Sequence, residues 1–245
     1  MTTDKALTYT SYLRIGELLD LQSPRSVEPE HDELLFIVIH QVYELWFKQL
    51  LHEAVRLQRT LGEGDARAAL HTLTRMRSIL KTVVAQVDIL ETMTPLSFAG
   101  FRGRLESASG FQSAQFREWE AVLGRRDPSM LEPHPAGPAR DRIEAAMSRP
   151  SLYDSFLGFA GVPPGQDPVP ALTRIYAEDA LVAMVCERMV DLDEGVQEWR
   201  YRHVKMVERT IGAKTGTGGS TGADYLRKTL FRPAFPALWE VRARF

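Results

Sequence analysis

Two histidines, His40 and His203, stand at helical spacing among apolar side chains, where a protonatable ring must find a buried partner or bind a ligand. Phe36, His40, Tyr43, Phe47 and Leu50 follow one another at steps of four, three, four and three, and Leu192, Val196, Trp199, His203 and Met206 do the same. That spacing puts each histidine on the face a helix turns toward its core. Two readings stand: core histidines satisfied by backbone or side-chain groups, or two rings facing each other across a cofactor pocket. A helical protein that buries histidines and has no cysteine ligands is a haem candidate, because neutral imidazole can hold haem iron axially. Arg200, Arg202, Lys205 and Arg209 flank His203 and either meet haem propionates or form a solvated face.

Other constellations carry weaker chemistry. Arg102 lies among Phe98, Phe101 and Phe111, where a guanidinium suits a carboxylate held by two parallel bonds, or is a surface arginine with its stem packed down. Residues 216–222 contain four glycines, two threonines and a serine, a loop able to offer N–H and hydroxyl groups to an anion, or else an exposed linker. No Gly-Lys-Ser/Thr closes that loop and no strand precedes it, so it is not a phosphate cradle. His31-Asp32-Glu33 and His52-Glu53 lack the paired histidines of a helical zinc site. The first cluster reads better as a helix start, with Asp32 capping it and Glu33 at the positive end of the dipole.

The elements that must position these residues are helices. Periodicity predicts long helices over 33–61 and 65–93, then helices over 110–123, 139–147 and 151–160. A Pro/Gly-rich linker over 161–170 precedes a helical stretch over 171–211 with a break near 191–195, and short segments over 223–230 and 236–241 follow. Strand signals are missing, so the fold class is all-α, one bundle over 1–245, alone or completed by partner subunits. At 245 residues, 44% hydrophobic and 25% charged, the chain has the make-up of a soluble globular protein. A net charge of −2 gives no basic face for nucleic acid. Cys186, the single cysteine, excludes an internal disulfide and cysteine-based zinc or iron–sulfur sites. No export signal is visible and the longest apolar run, 34–39, is too short for a bilayer, so a cytoplasmic protein without membrane partners is expected.

Six blocks in order resemble the tryptophan 2,3-dioxygenase family over nearly the full chain. They are HDELLFIVIHQVYELWFKQLLHE (31–53), LETMTPLSFAGFR (90–102), SASGFQSAQFR (107–117), RPSLYDSF (149–156), EWRYRHVKMVERTIGAKTGTGGSTG (198–222) and FPALWEVR (235–242). The resemblance implies a long-helix bundle assembled as a homotetramer, with haem b as cofactor, O2 as co-substrate and L-tryptophan or a substituted tryptophan as substrate. It implies His203 as the axial iron ligand and His40 as the histidine that bonds the indole N–H. Phe36 would lie against the indole, Arg102 would grip the substrate carboxylate, and Phe98 stands where the family carries Tyr or Phe. Gly216 and Thr217 would meet the amino-acid end, and Ser109 matches a polar residue near the haem. Tyr9 and Tyr12 match an N-terminal segment, within 1–30, that reaches a neighbouring subunit's active site. The implied reaction inserts O2 across C2–C3 of the indole to give N-formylkynurenine. The same pocket would also suit a one-oxygen enzyme making a 2-oxindole, from tryptophan or a substituted (for example β-methyl) tryptophan in secondary metabolism. A non-catalytic haem or tryptophan sensor is the third reading, and the joint presence of His40, Arg102, Thr217 and His203 argues against it. The stretch between Ser151 and His203 is about twenty residues shorter than the family leads one to expect, in a region of variable connections. The chain also ends soon after FPALWEVR, and because the family's further part is peripheral, the resemblance implies that the haem pocket should survive while subunit packing or access would differ.

Overall fold

The computed structural model describes residues 6–214, 216, 226–227 and 230–245, and among them the regular structure is entirely helical. Two single-turn helices come first, α1 (Tyr9–Leu13) and α2 (Ile15–Leu19), followed by the 32-residue α3 (His31–Gly62). A turn through Gly64, whose φ of +73° suits glycine, leads back into α4 (Ala66–Leu90), capped by the Asp65 carboxylate on the Ala68 N–H. Thr94 caps α5 (Pro95–Arg102), which has its proline in the first turn where no N–H is missed. Next come α6 (Ala114–Leu123), α7 (Pro138–Ser148), α8 (Leu152–Phe159) and α9 (Val169–Glu178). The second 32-residue helix, α10 (Ala180–Ile211), and the short α11 (Pro236–Glu240) complete the order.

Three long helices make the frame. α4 packs against both α3 and α10, with α6 and α8 on the flank of α3 and α9 on α10. Where α10 crosses α4, a Cβ on Gly195 would come within 3.2 Å of Leu80, so the glycine allows the close approach. The main core fills the space with Leu50, Leu57, Leu73, Met76, Val185, Met189 and Leu192. A second cluster forms around Ile39, Leu90, Met93, Phe98 and Phe101, where α5 leans on α3 and α10. Both predicted stripes run from core into cavity wall along their helices: Leu50 and Leu192 are fully buried, whereas His40, Tyr43, Trp199 and His203 border an internal cavity.

Several boundaries differ from expectation. The predicted 110–123 helix begins only at Ala114, behind a 3-10 turn over Gly110–Gln112 that Ser109 caps. α10 is unbroken through 191–195, and the break falls at Asp179, whose carboxylate accepts the Leu181 and Val182 N–H groups and restarts the helix. Asp32 is not the cap of α3. Glu30 holds that position without a side-chain bond, and the buried Glu33 carboxylate accepts the N–H groups of Arg25 (2.6 Å) and Ser26 (3.0 Å) instead. By length and composition alone α3 passes as long and apolar enough to cross a membrane, with a mean hydropathy of 1.2 over 18 residues, a test that the core helix of a soluble protein also passes. The apolarity serves two faces here: one borders core and cavity, and Leu34, Val38 and Leu45 lie exposed on the other. The segment predicted over 223–230 and the threonine at 217 fall outside the described residues, apart from 226–227 and Leu230.

Candidate functional site

The cavity lies between the facing ends of α3 and α10, closed by α5, the turns over 103–113 and α6. Its walls are mostly apolar and aromatic. Phe36 is the centre of the ring cluster, 4.1 Å from His40, 5.8 Å from Phe98 and 5.5 Å from Phe101 between centroids. Met206 and Ile211 of α10 pack on the same cluster from the other side. Such a pocket excludes water from a flat aromatic ligand and strengthens the few polar contacts within it.

His40 has a fixed tautomer. Its Nδ1 lies 2.7 Å from the Phe36 carbonyl, which can only accept, so Nδ1 carries the proton and Nε2 keeps a lone pair. Burial pushes the pKa of this ring down, against the opposing pull of the Phe36 carbonyl and the Glu44 carboxylate, so the neutral form is favoured. His203 sits one helical turn beyond Trp199 and stacks on its ring, 5.1 Å away and within 5° of parallel. Burial lowers its pKa to about 4, and the nearby His40 and the Arg117 guanidinium act in the same direction. Its ring has no hydrogen-bond partner among the described residues. A neutral, uncommitted imidazole on the wall of an aromatic cavity is the donor that haem iron takes, so the residues present fit that group.

The other candidates divide. Phe98, Arg102, Ser109 and Gly216 border the same cavity as Phe36, His40 and His203. Arg102 comes from the last turn of α5, and Ser109 accepts the Phe111 N–H while capping the turn that follows. Thr217, expected beside Gly216, lies outside the described residues. Tyr9 and Tyr12 sit on α1, three-quarters exposed, and are absent from the cavity wall. Of the four cations flanking His203, three form a solvated face. Arg202 pairs with Asp88 and Glu91, Arg209 with Glu91, and Lys205 with Glu208. Only Arg200 reaches the cavity.

Sequence reasoning missed the partners of Arg200. The Glu120 carboxylate, fully buried on α6, accepts Arg200 Nη2 (2.9 Å), Arg125 Nη1 (2.9 Å) and Arg117 Nη1 (2.7 Å). Burial alone would raise the pKa of Glu120, but the three guanidinium charges together bring it below the usual carboxylate value. Arg117 and Glu120 both border the cavity. The available signal was their i,i+3 spacing, which alone reads as an ordinary surface pair.

Fold and site define an all-helical protein with an aromatic-walled cavity bordered by two histidines and three arginines. Comparison with known proteins gives the class its family. The family pattern described as tryptophan 2,3-dioxygenase matches residues 1–134 and 172–245. A protein named tryptophan 2,3-dioxygenase from Anaeromyxobacter sp. (strain K) is 62% identical, with 97% of this chain and 96% of the relative covered. Another of that name from Herpetosiphon aurantiacus is 56% identical with 98% of each covered, and one from Caulobacter vibrioides is 40% identical with 97% and 98% covered. The chain belongs to the tryptophan 2,3-dioxygenase family. The unmatched 135–171 holds α7 and α8 and overlaps only the first part of the stretch from Ser151 to His203 that was expected to be short, and relatives covered to 96–98% of their length carry the same name.

Proposed function

We propose that this protein is a haem-dependent enzyme that opens the indole ring of L-tryptophan with O2, giving N-formylkynurenine. The observation that carries the reading is the pair of histidines that border one aromatic cavity from two long helices, each pushed toward its neutral form by burial, in a chain of this family. Haem b, held through His203, supplies the activation of O2 when bound. Both oxygen atoms enter the product as the C2–C3 bond breaks, so turnover consumes no outside reductant.

The chain's own residues hold the substrate. Arg102 takes its carboxylate in a two-bond fork, and Phe36 and Phe98 pack on the indole and keep water away. The Nε2 lone pair of His40 accepts the indole N–H, so the ring is fixed at both ends and presented in one pose. Ser109 and Gly216 border the cavity, where Ser109 would lie near the cofactor and Gly216, with the Thr217 implied by the resemblance, would complete the amino-acid end. The test is to purify the protein with haem, supply L-tryptophan and O2, and weigh the product. A gain of two oxygen atoms is expected; a gain of one would indicate a 2-oxindole, and no turnover after reduction would indicate a sensor. His203→Ala should lose the haem absorption band, and full occupancy in that variant would remove His203 from its role.

The reading includes assembly of copies, as a homotetramer. α1 and α2 pack chiefly on each other, and Leu7, Tyr9, Tyr12, Leu19 and Leu21 around them are exposed. Gln22 and Gln41 tie the segment that follows to α3, next to the exposed Leu34, Val38 and Leu45. Apolar surface of this extent supports contact with another copy, with Tyr9 and Tyr12 delivered to a neighbouring cavity.

A further inference from the structure

Arg117 is the most constrained cation on the cavity wall. Its side chain is 6% exposed, Nη1 is bound to Glu120, and its guanidinium carbon lies 4.6 Å above the Phe111 ring. Nη2 has no partner among the described residues; Nε has none either but is enclosed, so Nη2 is the donor a ligand in the cavity can reach. A donor left unpaired on a largely buried side chain costs about 1–3 kcal/mol unless a group in the cavity satisfies it. Arg200, held by the other Glu120 oxygen, stands at the same wall. Arg125 closes the group through Glu120 and Asp127. Three guanidinium groups against the carboxylates of Glu120 and Asp127 leave an excess positive charge, poorly screened because Glu120 and Arg117 are buried. A guanidinium held in place by Glu120, with excess positive charge around it, is the complement of a carboxylate.

We infer that the α6–α10 wall is a second carboxylate site, separate from Arg102 on α5, in which Arg117, positioned by Glu120 and flanked by Arg200, takes a propionate of the prosthetic group. The inference rests on the haem reading above. An amino-acid carboxylate has the same chemistry, and the experiment separates the two sources.

Apoprotein is titrated with ferric haem and with its dimethyl ester, in which both propionates are blocked, for the wild type and for Arg117→Gln. Glu120 keeps Arg125 and Arg200 as partners in the variant, and circular dichroism with a melting curve checks its fold. A charged hydrogen-bonded pair implies a loss of roughly tenfold to a hundredfold in affinity for the diacid. Affinity for the diester should stay within about threefold, and tryptophan binding to the loaded variant should change little. Arg200→Gln, on a less buried side chain, should show a smaller loss of the same kind and serves if Arg117→Gln does not fold. Equal losses for diacid and diester would overturn the inference. So would a collapse of tryptophan affinity with the diacid preference intact, which would assign the site to the amino acid. If the wild type takes up neither haem, the haem reading itself fails.

Discussion

At the scale of single residues, the bond from His40 Nδ1 to the Phe36 carbonyl decides what the histidine can do. With the proton fixed there, Nε2 accepts and does not donate, which suits an indole N–H. Tryptophan methylated on the indole nitrogen has no proton to give and places a methyl group against the ring. The wild type should therefore prefer tryptophan strongly, and His40→Ala should reduce the ratio of kcat/KM values between the two substrates by roughly tenfold or more. An unchanged ratio would remove His40 from contact with the indole nitrogen. Periodicity located His40 and His203 because each sits on a stripe whose far end is ordinary core. It could not reveal the tautomer, which depends on local geometry. Nor could it find Arg117 and Glu120. α6 is packed between α3 and α7, so charged positions that pattern as solvent-facing are turned inward.

Among the elements, α10 carries His203 and one wall of the cavity, and it shows where local signals mislead. Asp191, Asp193, Glu194 and Gly195 together suggest a break, yet the helix runs straight through them. Gly195 is there for the approach to Leu80, and Asp193 is buried because it holds the end of the chain in place. Its carboxylate accepts the N–H groups of Ala234 (3.0 Å) and Phe235 (3.0 Å), and Nε1 of Trp239 (2.9 Å). No pattern in a single sequence links residues 193 and 235, since the pairing is tertiary. Asp193→Ala would leave these donors unpaired at a buried junction, at about 1–3 kcal/mol for each group that water cannot reach. The expected result is a loss of about 3 kcal/mol or more, read as a lower urea midpoint at unchanged slope. A loss below about 1 kcal/mol would show that the α11 segment does not depend on this carboxylate.

For the molecule as a whole, the unexplained feature is the outer face of α3. Leu34, Val38 and Leu45 are between about a third and a half exposed, on a helix whose inner face already serves core and cavity. The helix was legible in the sequence, but a second apolar face has no meaning until another copy is considered. If that face lies at a two-fold contact, each substitution appears twice in the interface. Val38→Asp would then bring two carboxylates into a desolvated patch, where unpaired charge costs several kcal/mol, enough to dissociate an interface of ordinary size. The wild type should give a light-scattering mass near four times the 27.7 kDa chain, and Val38→Asp a smaller assembly with unchanged helix content. Val38 is outside the cavity wall, so haem uptake by the separated subunits should persist. Tryptophan affinity should fall if a neighbour's α1 completes the site, because dissociation removes Tyr9 and Tyr12 of the adjoining copy together with the contact. A fourfold assembly that survives Val38→Asp would place the subunit contact elsewhere and leave this face without a partner.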